Sequence, residues 1–351
     1  MTASSRPHVL VARQDNAGDV LLSGPAVRAV AAGAGRLTYL CGPRGEGAAR
    51  LLPGVDEVMV EASAPWIDAD PAPVEAGAVE ALVRRLRDAA VDQAFVLTSF
   101  HQSPLPLALV LRLAGVGTIA AASVDYPGSL LDVRHLPDED IHEVERSLSL
   151  VGRLGYRLPP GDDGRLRVTL PEPPPRVPGV PDGRYTVVHP GATAPARAWS
   201  AGAWAATVAA LGETGRRVVV TGSAGEKALT AEVAGAGGAV DLGGRTSTAA
   251  LAAVVAGAEV LVVGNTGPAH LAAAVGTPVV SLFAPVVPAV RWRPWMVPHR
   301  LLGDQGVACA GCRARTCPVP GHPCLGVVTP RDVVAAVEAL TRSRALAEVG
   351  R

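Results

Sequence analysis

Val262-Val263-Gly264-Asn265-Thr266-Gly267-Pro268-Ala269-His270 decides the fold, because an apolar run ends in a polar, glycine-containing turn that opens directly into residues 271–276. A strand, a tight turn and a helix N-terminus in that order make an anion pocket: unpaired backbone N–H groups and the positive end of the helix dipole point at one spot. Phosphate belongs there. His270 falls about one helical turn after Thr266, so its ring can face the same pocket, although a lone histidine is as often a structural residue.

Working outward, residues 185–189 read as a buried strand that enters Pro190-Gly191-Ala192-Thr193-Ala194-Pro195-Ala196-Arg197-Ala198-Trp199, a small-residue loop with one cation. Arg197 suits a bidentate clamp on a diphosphate. Residues 217–221 form another strand, ending in Gly222-Ser223-Ala224-Gly225-Glu226, which puts a carboxylate at the start of the next helix. In a parallel sheet the carboxyl ends of the strands line one edge, where ligands bind. Three strand ends converging there describe a nucleotide site, with the diphosphate on Arg197 and the 266–270 turn and ribose hydroxyls on Glu226.

The chain has 351 residues, 48% of them hydrophobic, and a net charge of zero. That length suits two domains of ordinary size, each with its own core. Charge balance gives no case for nucleic acid and, at most, peripheral membrane contact. Residues 1–7 are polar and no apolar run is long enough to span a bilayer, so the expected location is cytoplasmic.

From residue 8 to 170 apolar strand patterns (8–13, 37–41, 94–99, 118–121) alternate with helical ones (20–32, 45–52, 79–90, 105–114), which argues for parallel βαβ units. Residues 170–183 hold six prolines, too many for a helix or an inner strand, and read as a semi-rigid linker. Residues 185–283 repeat the alternation. The expected division is a Rossmann-like domain at 1–170, a linker at 171–184, a second Rossmann-like domain at 185–329, and a final helix from 330 to 351.

Taken in order, Arg13-Gln14-Asp15-Asn16-Ala17-Gly18-Asp19 with residues 20–28, the 189–199 loop, residues 221–226, 242–248, 264–270 and 277–285 resemble glycosyltransferase family nine, the ADP-heptose:lipopolysaccharide heptosyltransferases, over nearly the whole chain. The resemblance implies an α/β GT-B fold, two Rossmann-like domains with parallel sheets facing across a cleft. It also implies inverting transfer that needs no metal, a final helix at 330–351 that packs back on the N-terminal domain, and the nucleotide-sugar donor, ADP-heptose, in the C-terminal domain on Thr193, Arg197, Thr221, Gly222, Ser223, Glu226, Thr246, Asn265, Thr266, Gly267 and His270. A glycan, lipid-linked or small-molecule acceptor goes to the N-terminal one. By residue chemistry alone Asp19 is a favoured N-cap; the resemblance makes it the general base that takes the acceptor proton, with Arg13 organising its loop. The acceptor loops are 98–104 and 123–135, whose polar residues include His101, Gln102 and Arg134. One departure stands out: family members commonly carry an acid immediately before the Thr-Gly pair, where this chain has Asn265. An amide there removes a negative charge near the donor. Another nucleoside-diphosphate sugar, or a non-catalytic nucleotide-sugar binder, are the alternatives.

Asp68-Ala69-Asp70 resembles a metal-binding DxD but has no preceding strand to place it, and Asp138-Glu139-Asp140 reads as charge at a helix start. Neither a P-loop nor a dinucleotide fingerprint is present. Cys309, Cys312, Cys317 and Cys324 are spaced as zinc ligands can be; a structural zinc, a labile disulfide and plain loop packing all fit that spacing. No catalytic metal is expected.

Overall fold

Buried on both faces, strands such as Val260–Gly264 can be apolar throughout, which is the pattern of a parallel sheet covered by helices. The computed structural model describes residues 6–62, 64–68, 71–138 and 140–349, without the side chains of 343–349. The chain divides into two compact units, Met1–Thr169 and Leu170–Arg351.

In the first unit the strands are β1 (His8–Ala12), β2 (Arg36–Cys41), β3 (Glu57–Val60), β4 (Gln93–Val96), β5 (Thr118–Ala122) and β6 (Val133–His135). They form one sheet in the order 3-2-1-4-5-6, and every pairing is parallel. The second unit has β7 (Thr186–His189), β8 (Val218–Gly222), β9 (Val240–Gly243), β10 (Val260–Gly264), β11 (Val279–Leu282) and β12 (His299–Leu302), ordered 12-11-10-7-8-9. Counted from β7, that is again 3-2-1-4-5-6, the Rossmann strand order. In each unit the order reverses between the first strand and the fourth, at β1/β4 and at β7/β10.

Local sequence explains where elements break. The helical pattern over 20–32 is two helices, Ala17–Leu22 and Gly24–Gly33, because Pro25 takes the first turn of the second and cannot continue the first. Arg28 on that second helix is nearly buried and grips Asp162, with Nε donating to Oδ2 at 2.6 Å and Nη2 to Oδ1 at 2.9 Å. Nη2 also donates to the Arg165 carbonyl. The guanidinium holds the Asp162 carboxyl down to about 2, despite the opposing effect of burial. This clasp fixes the end of the first unit, where no helix or strand follows until β7.

The proline-rich stretch belongs to the second unit. The final helix, Pro330–Val349, seats Val333, Val337 and Leu340 in the second unit's core with Trp204, Val262 and Val280. Those three positions recur at helical spacing and make one apolar stripe. No helix among the described residues is long and apolar enough to cross a membrane.

β7 ends on His189, whose Nδ1 lies 3.0 Å from Thr221 Oγ1 at the end of β8. Burial lowers the His189 pKa, and the nearby Glu226 carboxylate only partly opposes it. The ring is therefore neutral in the folded protein, whereas an unfolded chain takes up a proton below about pH 6.5. The unfolded state then binds more protons, so the contribution of His189 to stability is full above that pH and is lost as pH falls. Thermal unfolding should show a midpoint that drops between about pH 7 and 5, and His189→Gln should flatten that slope; an unchanged slope in the variant would assign it to other groups.

Candidate functional site

The chain leaves β1 at Arg13, a cation with its side chain only 2% exposed, and burial of a charge is tolerated only with partners in place. Three carboxylates supply them. Asp15 Oδ2 lies 2.6 Å from Nε, an ion contact outside hydrogen-bond alignment; Nη2 donates to Asp19 Oδ1 at 3.0 Å; Nη1 donates to Glu143 Oε2 at 3.3 Å. Ser99, just beyond β4, accepts from Nη2 at 3.0 Å. Burial works against the charge on Arg13, but Asp15, Asp19 and Glu143 outweigh it, so its pKa is raised and it stays a cation. Gln102 closes the cluster, donating to Asp15 Oδ1 at 2.5 Å and accepting from the Ser99 N–H.

Asp19 lies in the first turn of the helix Ala17–Leu22 rather than at its cap, which is Asn16. Its side chain is 19% exposed, against 5% for Asp15 and 1% for Glu143, so of the three carboxylates on Arg13 it is the one that reaches the surface. Of the acceptor candidates, Gln102 joins this cluster. His101 is exposed, its ring edge-on to Phe100. Arg134 on β6 donates to the carbonyls of Ser123 and Val124 and braces that loop. Sequence reasoning did not single out Asp15, Ser99 or Glu143. Asp15 stood inside the motif; Glu143 is 130 residues from Arg13 and carried no local signal.

In the second unit the loops after β7 and β10 flank the strand-order reversal. Pro195–Arg197 is a single 3₁₀ turn. The Ala196 N–H donates to the Arg315 carbonyl, and the Ala196 carbonyl lies 3.0 Å from His322 Nε2, so residues after β12 hold the Arg197 turn on both sides. After β10, Thr266 is the N-cap of the helix Gly267–Val275, with Pro268 in its first turn. Thr266 Oγ1 and Asn265 Oδ1 are buried with no hydrogen-bond partner in the protein, while Asn265 Nδ2 donates to the Ala284 carbonyl at 3.3 Å. His270 is buried on the same helix. Two orphaned polar atoms beside a helix N-terminus are placed to meet a polar ligand.

Glu226 has a structural duty as well: its Oε2 accepts from the Ser223 N–H at 2.7 Å and from Ser223 Oγ at 2.8 Å, a capping box. Its Oε1 faces Gly191, where an added Cβ would lie 2.0 Å away and would push this carboxylate aside. Thr221 is engaged with His189, and Gly222 accepts from the Gly244 N–H. Thr193 is exposed and Thr246 half-buried just beyond β9, next to Arg245, which donates to the carbonyls of Asp241 and Pro178.

Asp68 pairs with Arg44 at the surface at 2.6 Å; Ala69 and Asp70, like Glu139, lie outside the described residues. The helix after Asp140 starts with acids at Glu143 and Glu145 and is capped by His142. Cys309, Cys312, Cys317, Cys324 and His322 line one small pocket, and all four cysteines are free. Among the described residues no three of His, Cys, Asp or Glu are grouped so as to hold a metal ion.

The model of glycosyltransferase family 9 (heptosyltransferase) matches residues 79–322. Lipopolysaccharide heptosyltransferase 1 of Pseudomonas aeruginosa is 33% identical over 180 residues, covering 50% of this chain and 48% of that protein. The match thus spans about half the length of that curated relative. Among solved structures, a glycosyl transferase family 9 protein from Veillonella parvula superposes with a TM-score of 0.77 at 16% identity, covering 97% of this chain and 98% of that one. The E. coli heptosyltransferase WaaC, solved with ADP-2-deoxy-2-fluoro heptose, gives 0.69 at 21%, covering 95% and 99%. With a family match over most of its length and two six-stranded Rossmann units of the GT-B kind, the chain belongs to glycosyltransferase family 9, the heptosyltransferase family.

Proposed function

We propose that the protein is an inverting, metal-independent glycosyltransferase that moves a heptose from ADP-heptose to a hydroxyl of a glycan, lipid-linked or small-molecule acceptor. The observation that carries this reading is the partly exposed Asp19 carboxylate held at 3.0 Å by the buried Arg13. Asp19 takes the proton of the acceptor hydroxyl as that oxygen attacks the anomeric carbon. Attack comes from the face opposite the diphosphate, the anomeric C–O bond breaks, and the configuration inverts. Charge then builds on the departing diphosphate. Arg197, the Thr266 hydroxyl, the Gly267 N–H and His270 are assigned to meet it, and preorganised donors of this kind take the place of a divalent cation. Thr193, Thr221, Gly222, Ser223 and Thr246 complete the donor surface, with the ribose on Glu226 Oε1. His101, Gln102 and Arg134 are assigned to the acceptor side. The ligand in the E. coli structure and the family match support the choice of donor.

A second reading keeps the chemistry and changes the donor sugar. It is favoured by Asn265, whose buried Oδ1 has no partner in the protein and is neutral where an acid is common in relatives.

Three measurements check the proposal. Arg197→Ala should weaken ADP binding by about 1.5–3 kcal/mol, the size of a hydrogen bond to a charged group; calorimetry with unchanged affinity would remove Arg197 from the pocket. A chelator should leave initial rates intact, and a rapid loss restored by magnesium or manganese would overturn the metal-free mechanism. Asp19→Asn should fold normally and bind ADP yet turn over roughly 100-fold more slowly. If turnover survives and His101→Gln abolishes it instead, Asp19 is not the base.

A further inference from the structure

Arg13 poses a problem for any base it holds. A guanidinium in contact with a carboxylate stabilises the ionised form and makes that carboxylate a weaker proton acceptor. Orienting Asp19 in this way would, by itself, blunt it. The rest of the cluster removes the difficulty: the same guanidinium meets two further carboxylates, Asp15 at 2.6 Å and Glu143 at 3.3 Å, both almost completely buried. Each of its three nitrogens faces a different acid. The surplus is negative even after Arg146 is counted, since that second cation lies 3.6 Å from Glu143 and donates to the Thr98 carbonyl.

We infer that Glu143 and Asp15 are positioning residues that offset the charge of Arg13, so that Arg13 fixes the geometry of Asp19 while Asp19 keeps its basicity. The inference rests on the assignment of Asp19 as the base and adds what tunes it. The groups around the guanidinium come from every side: Asp15 from the loop after β1, Asp19 from the helix Ala17–Leu22, Tyr39 from β2, Ser99 and Gln102 from the loop after β4, and Glu143 with Arg146 from the helix Glu143–Gly152. Tyr39 does not compete for the charge, because burial raises its pKa and it stays neutral, hydrogen-bonded to Ser23. Glu143 Oε2 also contacts both cations while Oε1 has no hydrogen-bond partner, which fits a residue kept for its charge more than for its bonds.

Glu143→Gln tests this, because the amide retains an oxygen for Arg13 and loses only the charge. With less to offset it, Arg13 stabilises ionised Asp19 more strongly. The acid limb of the single-turnover rate should therefore move to lower pH, by about one unit, and the plateau rate should fall while ADP affinity stays unchanged. Asp15→Asn should move the limb in the same direction. A fall in rate with an unmoved limb, or a limb that moves to higher pH, would reduce Glu143 to a packing role and overturn the inference. So would finding both variants unfolded, since the two carboxylates would then serve stability alone. Asp19→Asn run alongside separates the two failures: if it keeps parental turnover the base assignment fails, whereas if it is inactive and the limb in Glu143→Gln is unmoved, only the tuning role fails.

Discussion

Both sheets reverse their strand order once, and Arg13 with Ser99 in one unit and Arg197 with Asn265 and Thr266 in the other follow the strands at those reversals. On either side of such a point the connections leave their strands in opposite directions, so the ends of two adjacent strands are left with a gap between their loops. At β1/β4 that gap is filled by Arg13 from one strand end and Ser99 from the other, joined at 3.0 Å. At β7/β10 the Arg197 turn and the Asn265–Thr266 turn take the same two positions. A single rule of parallel-sheet topology thus accounts for where these residues lie in each unit.

The two gaps are furnished differently. In the first, charge is buried and balanced side chain against side chain, which fixes angles as well as distances. In the second, the Thr266 hydroxyl and the Asn265 amide oxygen, without internal partners, lie beside the start of the helix Gly267–Val275. A site of the first kind suits holding one carboxylate in one orientation. A site of the second kind suits a polar ligand brought from outside.

Much of this was legible in the sequence where the signal is local. The run Val262–Val263 followed by Gly264 and Pro268 could only be strand, turn and helix, and β10 with the helix Gly267–Val275 follows it closely. Short strands at or toward sheet edges were another matter: β3 and β6 have four and three residues, and their partly exposed patterns carry too little apolar periodicity to stand out. The pair Ser223 and Glu226 shows a subtler limit. A carboxylate at a helix start is equally suited to a ribose and to a capping box, and only coordinates reveal that one of its oxygens is already committed. Glu143 was out of reach altogether, because the burial of an acid on an otherwise amphipathic helix depends on a cation contributed from 130 positions away.

That separation shapes how the first unit can form. β1 is among the earliest segments of the chain, yet the cation at its end has a partner that arrives only with the last helix of the unit, Glu143–Gly152. A partly folded chain with the β1–β2–β3 half in place would hold Arg13 without its full set of acids, and an under-partnered buried charge strongly opposes such a state. Half-built forms of the sheet are therefore disfavoured, and closing a loop of this length makes the search slow as well as concerted. The residue that orients the proposed base thereby also makes the folding of its unit cooperative.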